Sequence, residues 1–306
     1  MTIRIFVTGA DDGQVARSLG EAADGSPDVE VGFGARPAMD MTRAETILPA
    51  MEAFGPDVVV NAAAYTAVDR AESEPELAYA VNRDGAAAAA AAAARLGVPI
   101  IQFSTDYVFD GAKSGPYVEA DPASPQGVYG RSKLEGERAV AAANPRHLIA
   151  RTSWVYAPFG SNFVRTMLRL SAERDRLAVV DDQIGCPTYA PDIAEAILAI
   201  ARTWSRDGWR DDHAGVTHLA GPDAVTWCAF ARQIVDGAAA RGGRRVEVEG
   251  ITTSQYPTPA RRPANSRLST GRLASVFDVR LPRLEHSLSS CLDRLVGPRA
   301  ALGASV

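Results

Sequence analysis

The sequence contains few of the residues that bind metals or form cross-links. It has 3 cysteines and 4 histidines among 306 residues. The cysteines are odd in number and form no C-x-x-C motif, so we expect reduced, packed side chains at Cys186, Cys228 and Cys291. The histidines have no metal-ligand spacing and stand apart at His147, His213, His218 and His286. We therefore predict neither a structural nor a catalytic metal.

Basic runs and long apolar runs are also missing. The formal net charge is −5, which argues against nucleic acid or an anionic membrane surface as the partner. No apolar run reaches the thickness of a bilayer, and Met1–Gly9 is typical of a strand entering a glycine turn rather than of a signal peptide. We expect a cytoplasmic protein that binds a small molecule. With 46% hydrophobic residues, the chain can bury one large core or a core with an added lobe.

The most informative stretch runs from Phe103 to Lys133. The apolar run Val98–Phe103 predicts a buried parallel strand, and Thr105 stands at its carboxyl end, the edge at which open α/β sheets bind ligands. Tyr129 and Lys133 are four positions apart in a predicted helix, so they share one face. We expect the phenol, the ammonium and the threonine hydroxyl to meet above the strand end.

These three side chains predict a site for carbonyl reduction. The Lys133 ammonium should lower the pKa of the Tyr129 phenol from its reference value of about 10 toward neutral pH, which makes the phenol a proton donor. The Thr105 hydroxyl can hydrogen-bond the same substrate oxygen as charge develops on it. An isolated Y-x-x-x-K is more often an ordinary helix pair. The strand end before it and a glycine turn at the start of the chain favour the catalytic interpretation.

The start of the chain predicts a dinucleotide-binding turn. The β-branched run Ile3–Val7 is a predicted strand, followed by a glycine turn that leads into a helix through Leu19. Glycine lets the backbone approach a pyrophosphate, whose charge then lies at the helix amides. Ala16 stands at the usual third glycine position and is small enough for close packing. The predicted contacts are Gly9, Ala10, Gly13, Gln14 and Val15.

The end of the second predicted strand, Val29–Phe33, distinguishes the two nicotinamide cofactors. No carboxylate stands there to bind the ribose hydroxyls of NADH, whereas Arg36 can hold a 2′-phosphate. We therefore favour NADPH, with NADH as the alternative cofactor and a solvated arginine as the competing interpretation. Small residues after the third predicted strand, Val58–Val60, are expected to lie against the same cofactor: Ala62, Ala63 and Ala64.

Longer strings in the sequence carry a resemblance to a known family. They are Val58–Pro75, Ser104–Gly111, Arg151–Tyr156 and Tyr256–Leu268. With Tyr129 and Lys133, they resemble the dTDP-4-dehydrorhamnose reductase family of the extended short-chain dehydrogenase/reductase superfamily. The strings span almost the whole chain, and the last two are specific to this branch.

The resemblance implies further contacts with the cofactor and the substrate. Asp40 and Met41 would border the adenine, and Val68 would lie beside the substrate. Asp106 and Tyr107, which follow the catalytic threonine, are also predicted to contact the substrate.

Two other segments predict substrate contacts. Trp154 leaves the end of the predicted strand His147–Arg151 and is placed to stack on a planar or sugar-like group, with a buried core tryptophan as the alternative. The loop Pro257–Leu268 is basic in an otherwise acidic protein. Its Arg261 and Asn265 are predicted to hold the pyrophosphate of a nucleotide sugar, and a solvated loop is the competing interpretation.

The order of predicted elements indicates an α/β fold, a doubly wound parallel Rossmann sheet with a smaller carboxy-terminal substrate lobe. The predicted division is 1–155 with about 177–205 for the dinucleotide-binding domain, and 156–176 with 206–300 for the interleaved lobe. A helix is predicted to begin at Asn82, and His218 to begin the carboxy-terminal part of the lobe. Residues after Leu295 are expected to form a frayed tail.

The resemblance implies NADPH-dependent reduction of the 4-keto group of a dTDP-4-keto-6-deoxy sugar, with dTDP-4-dehydro-L-rhamnose giving dTDP-L-rhamnose as the first candidate. A reductase of another dTDP-4-keto deoxysugar, as in dihydrostreptose formation, shares these motifs. A non-catalytic regulatory subunit of the methionine adenosyltransferase type also resembles this branch, although the intact Thr105, Tyr129 and Lys133 weigh against it. A 4,6-dehydratase is disfavoured because Tyr107 stands where those enzymes have glutamate.

The resemblance also bears on assembly. Some members of the family dimerise through a magnesium ion held by acidic residues. The matching positions here are Ser18 and Pro191, which offer no carboxylate to a cation that prefers oxygen ligands. Asp192 is displaced by one residue, which turns a helical side chain by about 100°. We expect a monomer, or association through another surface without magnesium.

Overall fold

The computed structural model describes residues 2–298, so residues 299–306 of the predicted tail lie outside the description. The strands are β1 (Ile3–Thr8), β2 (Val29–Gly34), β3 (Val58–Asn61), β4 (Ile100–Thr105), β5 (His147–Thr152), β6 (Val155–Tyr156), β7 (Arg176–Val180), β8 (Ile184–Gly185), β9 (Thr188–Tyr189), β10 (Gly215–His218), β11 (Val225–Thr226), β12 (Glu247–Ile251) and β13 (Asn265–Ser266). The helices are α1 (Gln14–Asp24), α2 (Ile47–Phe54), α3 (Val68–Ala71), α4 (Pro75–Tyr79), α5 (Ala86–Arg95), α6 (Val128–Ala143), α7 (Phe163–Glu173), α8 (Ala190–Asp207), α9 (Trp227–Ala239), α10 (Gly271–Phe277) and α11 (Leu284–Leu295).

The main sheet contains six strands in the order β2-β1-β3-β4-β5-β10. All of its neighbouring pairs run parallel. The chain moves to one side of β1 to form β2 and to the other side to form β3, so the strand order reverses at β1. In an open parallel sheet this reversal leaves a crevice at the carboxyl ends of the strands, where ligands bind. The predicted doubly wound α/β class is confirmed.

Alternate side chains of each central strand enter two separate cores. Ile5 and Val7 pack with α1 and α8, whereas Phe6 between them packs with α2 and α5. Burial on both faces explains why Val58–Val60 is a continuous apolar run, at most 2% exposed, rather than an alternating pattern. The helices cover both faces, and the crevice at the switch in strand order lies at the carboxyl ends of the strands.

The helix predicted to begin at Asn82 begins instead at Pro75, so that prediction is wrong. Proline suits the first helical position because its missing N–H would have no partner there. The helix continues through the π-helical segment Ala80–Gly85 into the alanine run of α5. Asn82 lies inside this segment, where its carboxamide accepts from the Tyr65 amide at 2.9 Å and donates to the Ser132 hydroxyl at 3.0 Å. The π-helical segment therefore joins the loop after β3 to α6.

Helix α6 lies unusually close to its neighbours because it contains glycines at its contact points. A Cβ at Gly130 would lie 2.2 Å from the Tyr107 carbonyl oxygen, and one at Gly136 would lie 2.0 Å from the Asn82 carbonyl oxygen. A larger residue at either position would force the helix away from that neighbour. Gly130 therefore sets how closely α6 approaches the turn after β4, and Gly136 sets how closely it approaches the π-helical segment.

The lobe has a core of its own. Helices α7, α9 and α11 pack against β7 and β12, which pair in parallel. Helix α9 is capped at its N-terminus by Thr226, whose hydroxyl accepts from the Ala229 amide at 3.1 Å. As predicted, all three cysteines are free and buried: Cys186, Cys228 and Cys291.

The structure divides the chain differently from the sequence at two places. Strand β10 pairs with β5 in the main sheet, although the sequence predicts His218 as part of the lobe. Strand β7 packs in the lobe through Leu177 and Val179, whereas only α8 of the segment 177–205 returns to the main sheet. Short apolar strands carry no local sign of the sheet that they will join, because pairing depends on distant residues.

Two absences hold for the described residues. No helix within 2–298 is long and apolar enough to cross a membrane. In the same range, no group of three or more histidine, cysteine, aspartate or glutamate side chains comes together as a metal site.

Candidate active site

A cleft of about 1240 Å³ opens at the carboxyl ends of β1, β3 and β4. All residues predicted to bind the cofactor line it: Gly9, Ala10, Gly13, Gln14, Val15, Arg36, Asp40, Met41, Ala62, Ala63, Ala64, Tyr129 and Lys133. Five of the residues predicted on the substrate side line it as well: Val68, Thr105, Asp106, Tyr107 and Trp154. Arg261 and Asn265 are not among the described residues of the lining. The sequence therefore predicts much of the lining, and two of the predicted substrate-side residues lie outside it.

The glycine turn after β1 is shaped for close approach by a ligand. Gly9 has a φ of 103°, a left-handed conformation that only glycine adopts readily. A Cβ at this position would lie 3.5 Å from the Ala63 Cα atom, so the turn packs on the loop after β3. Gly13 precedes the first turn of α1, whose amide groups lie beside the cleft. A helix start of this kind binds a phosphate without a basic side chain.

The turn after β2 contains an exposed arginine and no carboxylate that is free to bind a ribose. Arg36 is exposed and lines the cleft. The nearest acid, Asp40, accepts hydrogen bonds from the Thr42 amide at 2.9 Å and from its hydroxyl at 2.8 Å, and these bonds lower the pKa of its carboxyl. Asp40 is therefore engaged within its own turn. This turn and the glycine turn fit a dinucleotide with a phosphate on its ribose.

Thr105 and Tyr129 meet at the end of β4. The Thr105 hydroxyl donates to the Asp106 carboxylate at 2.9 Å and accepts from the Tyr107 amide at 3.2 Å. Burial raises the pKa of Tyr129 to about 12, and the hydrogen bond with Thr105 acts in the opposite direction. The phenol is therefore protonated at neutral pH, as a proton donor must be.

Lys133 lies one helical turn after Tyr129 and is 3% exposed. Its ammonium donates to the Phe103 carbonyl at 2.7 Å. Burial lowers its pKa to about 8, and the charge of Glu137 opposes that shift. The expectation that Lys133 lowers the pKa of the phenol is not met, because desolvation dominates at Tyr129 and the ammonium is directed at a backbone carbonyl.

A chain of buried side chains lies beneath this carbonyl, and the sequence did not reveal it. The Gln102 amide group donates to the Phe103 carbonyl at 2.7 Å and accepts from the Asn61 amide group at 2.6 Å. The Asn61 oxygen accepts in turn from the Thr8 hydroxyl. These residues occupy β4, β3 and β1 side by side. The carbonyl that holds Lys133 is thereby connected to the strand that leads into the glycine turn.

A buried ion pair lies on the next turn of α6. Glu137 accepts from Arg151 through both carboxylate oxygens, at 2.8 and 2.6 Å, and also from the Ser104 hydroxyl. The two charged side chains are 6% and 5% exposed. Glu137 stands four positions after Lys133, a spacing visible in the sequence, but nothing local identifies its partner on β5.

Asp106 is a buried acid of the site, and one of its carboxylate oxygens lacks a hydrogen-bond partner among the described residues. Its residue is 3% exposed and its Oδ2 atom has no hydrogen-bond partner in residues 2–298. Burial raises the pKa of its carboxyl to about 6, while hydrogen bonds from Ser266 and Thr105 act in the opposite direction. The charged form of Asp106 therefore costs folding free energy at neutral pH.

Asp106→Asn is expected to change the pH dependence of stability. The pKa rises from 3.8 to about 6 on folding, so the folded state keeps a proton that the unfolded state releases, and the contribution of Asp106 to stability falls as pH rises from about 4 to 6. Relative to the parent, the free energy of unfolding of the variant should rise by about 3 kcal/mol across this window, most of it between pH 4 and 6. Urea unfolding of both proteins at about pH 5 and pH 8 measures the change. Asp278→Asn, at a side chain 98% exposed, is the control. A gain that is the same at both pH values would contradict the assignment.

Trp154 lines the cleft with its ring held between two neighbours. Its indole is stacked on that of Trp227, with ring centroids 3.4 Å apart and planes 8° apart. A Cβ at Gly185 would lie 2.4 Å from Cε2 of Trp154 and 2.7 Å from both adjoining ring atoms, so Gly185 covers the opposite face. The expected stacking of Trp154 on a ligand is therefore wrong, because both ring faces are occupied and only the ring edge is available.

The two basic-loop residues have other roles. Asn265 is 4% exposed and donates to the Lys113 and Gly115 carbonyls at 2.7 and 2.8 Å. Arg261 is exposed and lies off the cleft lining. The neighbouring Arg262 instead pairs with Asp69 at 2.8 Å. Asn265 thus anchors the loop 113–115, and a substrate contact by these side chains has no support in the geometry.

Comparison with known proteins agrees with this site. The family described as RmlD substrate binding domain matches residues 3–296. A dTDP-4-dehydrorhamnose reductase of Sinorhizobium fredii is 51% identical over 285 residues, 93% of this chain and 95% of the relative. The solved structure of a dTDP-4-dehydrorhamnose reductase from Clostridium acetobutylicum has a TM-score of 0.86 and 36% identity, covering 96% of this chain and 99% of that one. The solved structure of a dTDP-4-dehydrorhamnose reductase from Bacillus anthracis in complex with NADP has a TM-score of 0.86 and 32% identity. It covers 95% of this chain and 98% of that one. With nearly its whole length matched, and with the predicted family confirmed, the chain belongs to the RmlD substrate binding domain family, that of the dTDP-4-dehydrorhamnose reductases.

Proposed function

We propose that this protein is an NADPH-dependent reductase that converts the 4-keto group of a dTDP-4-keto-6-deoxy sugar to a hydroxyl, with dTDP-4-dehydro-L-rhamnose as substrate and dTDP-L-rhamnose as product. The observation that carries the proposal is the single cleft in which Thr105, Tyr129 and Lys133 lie beside the glycine turn. The names of the relatives support the choice of sugar.

The chemistry follows from the protonation states of the three side chains. When bound, the reduced nicotinamide supplies the hydride. Tyr129 donates its phenolic proton to the carbonyl oxygen of the sugar, and the pKa of about 12 keeps that proton in place until the oxygen gains charge. Thr105, whose hydroxyl donates to Asp106 in this structure, would turn to donate to the same oxygen. Lys133, with a pKa of about 8, is mostly charged at neutral pH and is held one helical turn from Tyr129 by the Phe103 carbonyl, where it would contact the bound cofactor.

A panel of keto sugars tests the proposal. Purified protein is mixed with NADPH and either dTDP-4-dehydro-L-rhamnose, its precursor with the D-gluco configuration, or another dTDP-4-keto deoxysugar, and the product is identified by NMR. Turnover with the first sugar and formation of dTDP-L-rhamnose are expected. Preference for another sugar would assign the protein to a different deoxysugar pathway. If NADPH binds but no sugar is reduced, a non-catalytic binding role replaces the proposal.

Arg36→Ala should weaken binding of NADPH more than binding of NADH. Only NADPH carries the 2′-phosphate, and a charge-assisted hydrogen bond to it is worth about 1.5–3 kcal/mol, or roughly tenfold to a hundredfold in affinity. Fluorescence titration of each cofactor measures this. Arg43→Ala is a matched control, since Arg43 is 63% exposed and pairs with Glu45. Equal losses for both cofactors would refute the assignment of Arg36.

We infer a monomer, or association without magnesium, from the two positions that would hold the ion. Ser18 is 1% exposed and its hydroxyl donates to the Gln14 carbonyl at 2.7 Å. Pro191 is in the first turn of α8. The adjacent Asp192 accepts a hydrogen bond from Ser287 within the same chain, and burial raises its pKa. These side chains offer little to a bridging cation.

A further inference from the structure

The aromatic pair at the lobe side of the cleft goes beyond the residues that the motifs identify. Both Trp154 and Trp227 line the cleft. Trp227 is the first residue of α9, more than seventy positions from Trp154 along the chain. The two residues therefore come together only because the lobe packs against the carboxyl end of β5.

Trp154 has an unfavourable backbone conformation. Its φ is 48°, in the left-handed region that a bulky residue rarely occupies and that persists only where the surrounding contacts hold it. Its carbonyl accepts from the Thr188 amide at 3.2 Å, and its ring lies between Trp227 and Gly185. Without the second indole, one face of the ring would lose its support.

Trp227 is itself held by the lobe core. Its ring lies 4.5 Å from that of Phe163, measured between centroids, and Phe163 is stacked on Phe230 at 5.6 Å. Phe230 is 0% exposed. The row of rings thus connects the buried centre of the lobe to Trp154 at the edge of the cleft.

We propose that Trp227 is a positioning residue for the nucleotide-sugar substrate, which fixes the Trp154 indole so that its edge, and not its face, meets the substrate. The edge of an aromatic ring is its positive part, and an indole adds an N–H donor. Both features match the oxygen-rich sugar and pyrophosphate of a nucleotide sugar. The inference rests on the proposed function for the identity of that substrate.

Substitution of Trp227 separates positioning from folding and from chemistry. Trp227→Ala removes the ring that is stacked on Trp154. KM for dTDP-4-dehydro-L-rhamnose should rise by about tenfold, because the Trp154 indole is then no longer held in place. The value of kcat and the Kd of NADPH should change by less than about threefold, because Tyr129, Lys133 and the glycine turn are untouched. Trp227→Phe keeps a ring in place and should restore KM to within about threefold of the parent.

Two controls complete the experiment. Trp209→Ala removes an indole that packs on Trp204 at 5.0 Å and is outside the described lining of the cleft, so its KM should equal that of the parent. In circular dichroism, Trp227→Ala should lose the contribution of the stacked pair Trp154–Trp227, whereas Trp209→Ala should lose only that of the separate, tilted pair Trp204–Trp209. Should the alanine variant fail to fold, Trp227→Leu replaces it.

The outcomes are separable from those of the proposed function. Binding of dTDP-L-rhamnose, measured by calorimetry, should weaken in the Trp227 variant in parallel with the rise in KM. If the parent reduces none of the keto sugars, the proposed function fails, and the calorimetry still tests the role of Trp227. An unchanged KM and Kd, or an equal loss of kcat and NADPH binding, or no rescue by phenylalanine, would each overturn the inference.

Discussion

Tyr129→Phe is expected to lower kcat by about 10²-fold or more, because the change removes the proton donor of the site. The Kd of NADPH should remain near that of the parent. Phenylalanine keeps the ring that contacts Tyr107 edge to face, at 5.5 Å between centroids. Single-turnover kinetics with NADPH and dTDP-4-dehydro-L-rhamnose, together with a cofactor titration, measure both quantities.

Tyr79→Phe provides a matched control for that result. Tyr79 packs in the same small cluster as Tyr129, but it is not among the described residues that line the cleft. Removal of its hydroxyl should leave kcat within about twofold of the parent, since no proton donor is lost. If Tyr129→Phe kept turnover within about tenfold of the parent, Tyr129 would not be the acid.

Arg151→Met is expected to lower the free energy of unfolding by about 3–5 kcal/mol, because it leaves the buried Glu137 carboxylate without its counter-charge. The methionine keeps much of the arginine side-chain volume, so the loss arises from charge rather than from a cavity. Urea unfolding at pH 7 measures the change. The double variant Glu137→Gln with Arg151→Met removes both charges and should recover a large part of the loss.

The control for this prediction is an ion pair on the protein surface. Arg169 pairs with Glu173 on α7, with side chains 61% and 53% exposed. Arg169→Met should change the free energy of unfolding by less than about 1 kcal/mol, since water solvates both partners. A similar small effect for Arg151→Met would mean that the buried pair contributes no more than a surface one.

The buried polar groups below the site connect the glycine turn, which is proposed to bind the cofactor, to Lys133. Lys133 is held by the Phe103 carbonyl, which also accepts from Gln102. Gln102 is connected through Asn61 to Thr8, the last residue before the glycine turn. Because these groups bond to one another from strand to strand, they connect the glycine turn to the lysine across the sheet.

The local patterns of the sequence were enough to predict the fold class and part of the lining of the cleft, and the family followed from the resemblance of longer strings. Continuous apolar runs predict buried parallel strands, and a glycine turn before a helix predicts a phosphate site. The spacing of Tyr129 and Lys133 places both on one face of a helix. Each of these inferences depends on residues that are close in the chain, where backbone geometry alone relates position to direction.

The environment of each side chain was decided only by the tertiary structure. The pKa of Tyr129 is raised because packing removes water from the phenol, which no spacing in the sequence reveals. The partner of Glu137 on β5, the covered faces of Trp154 and the place of β10 in the main sheet all depend on residues far apart in the chain. Desolvation and pairing are properties of the packed chain, so they arise only when those distant residues meet.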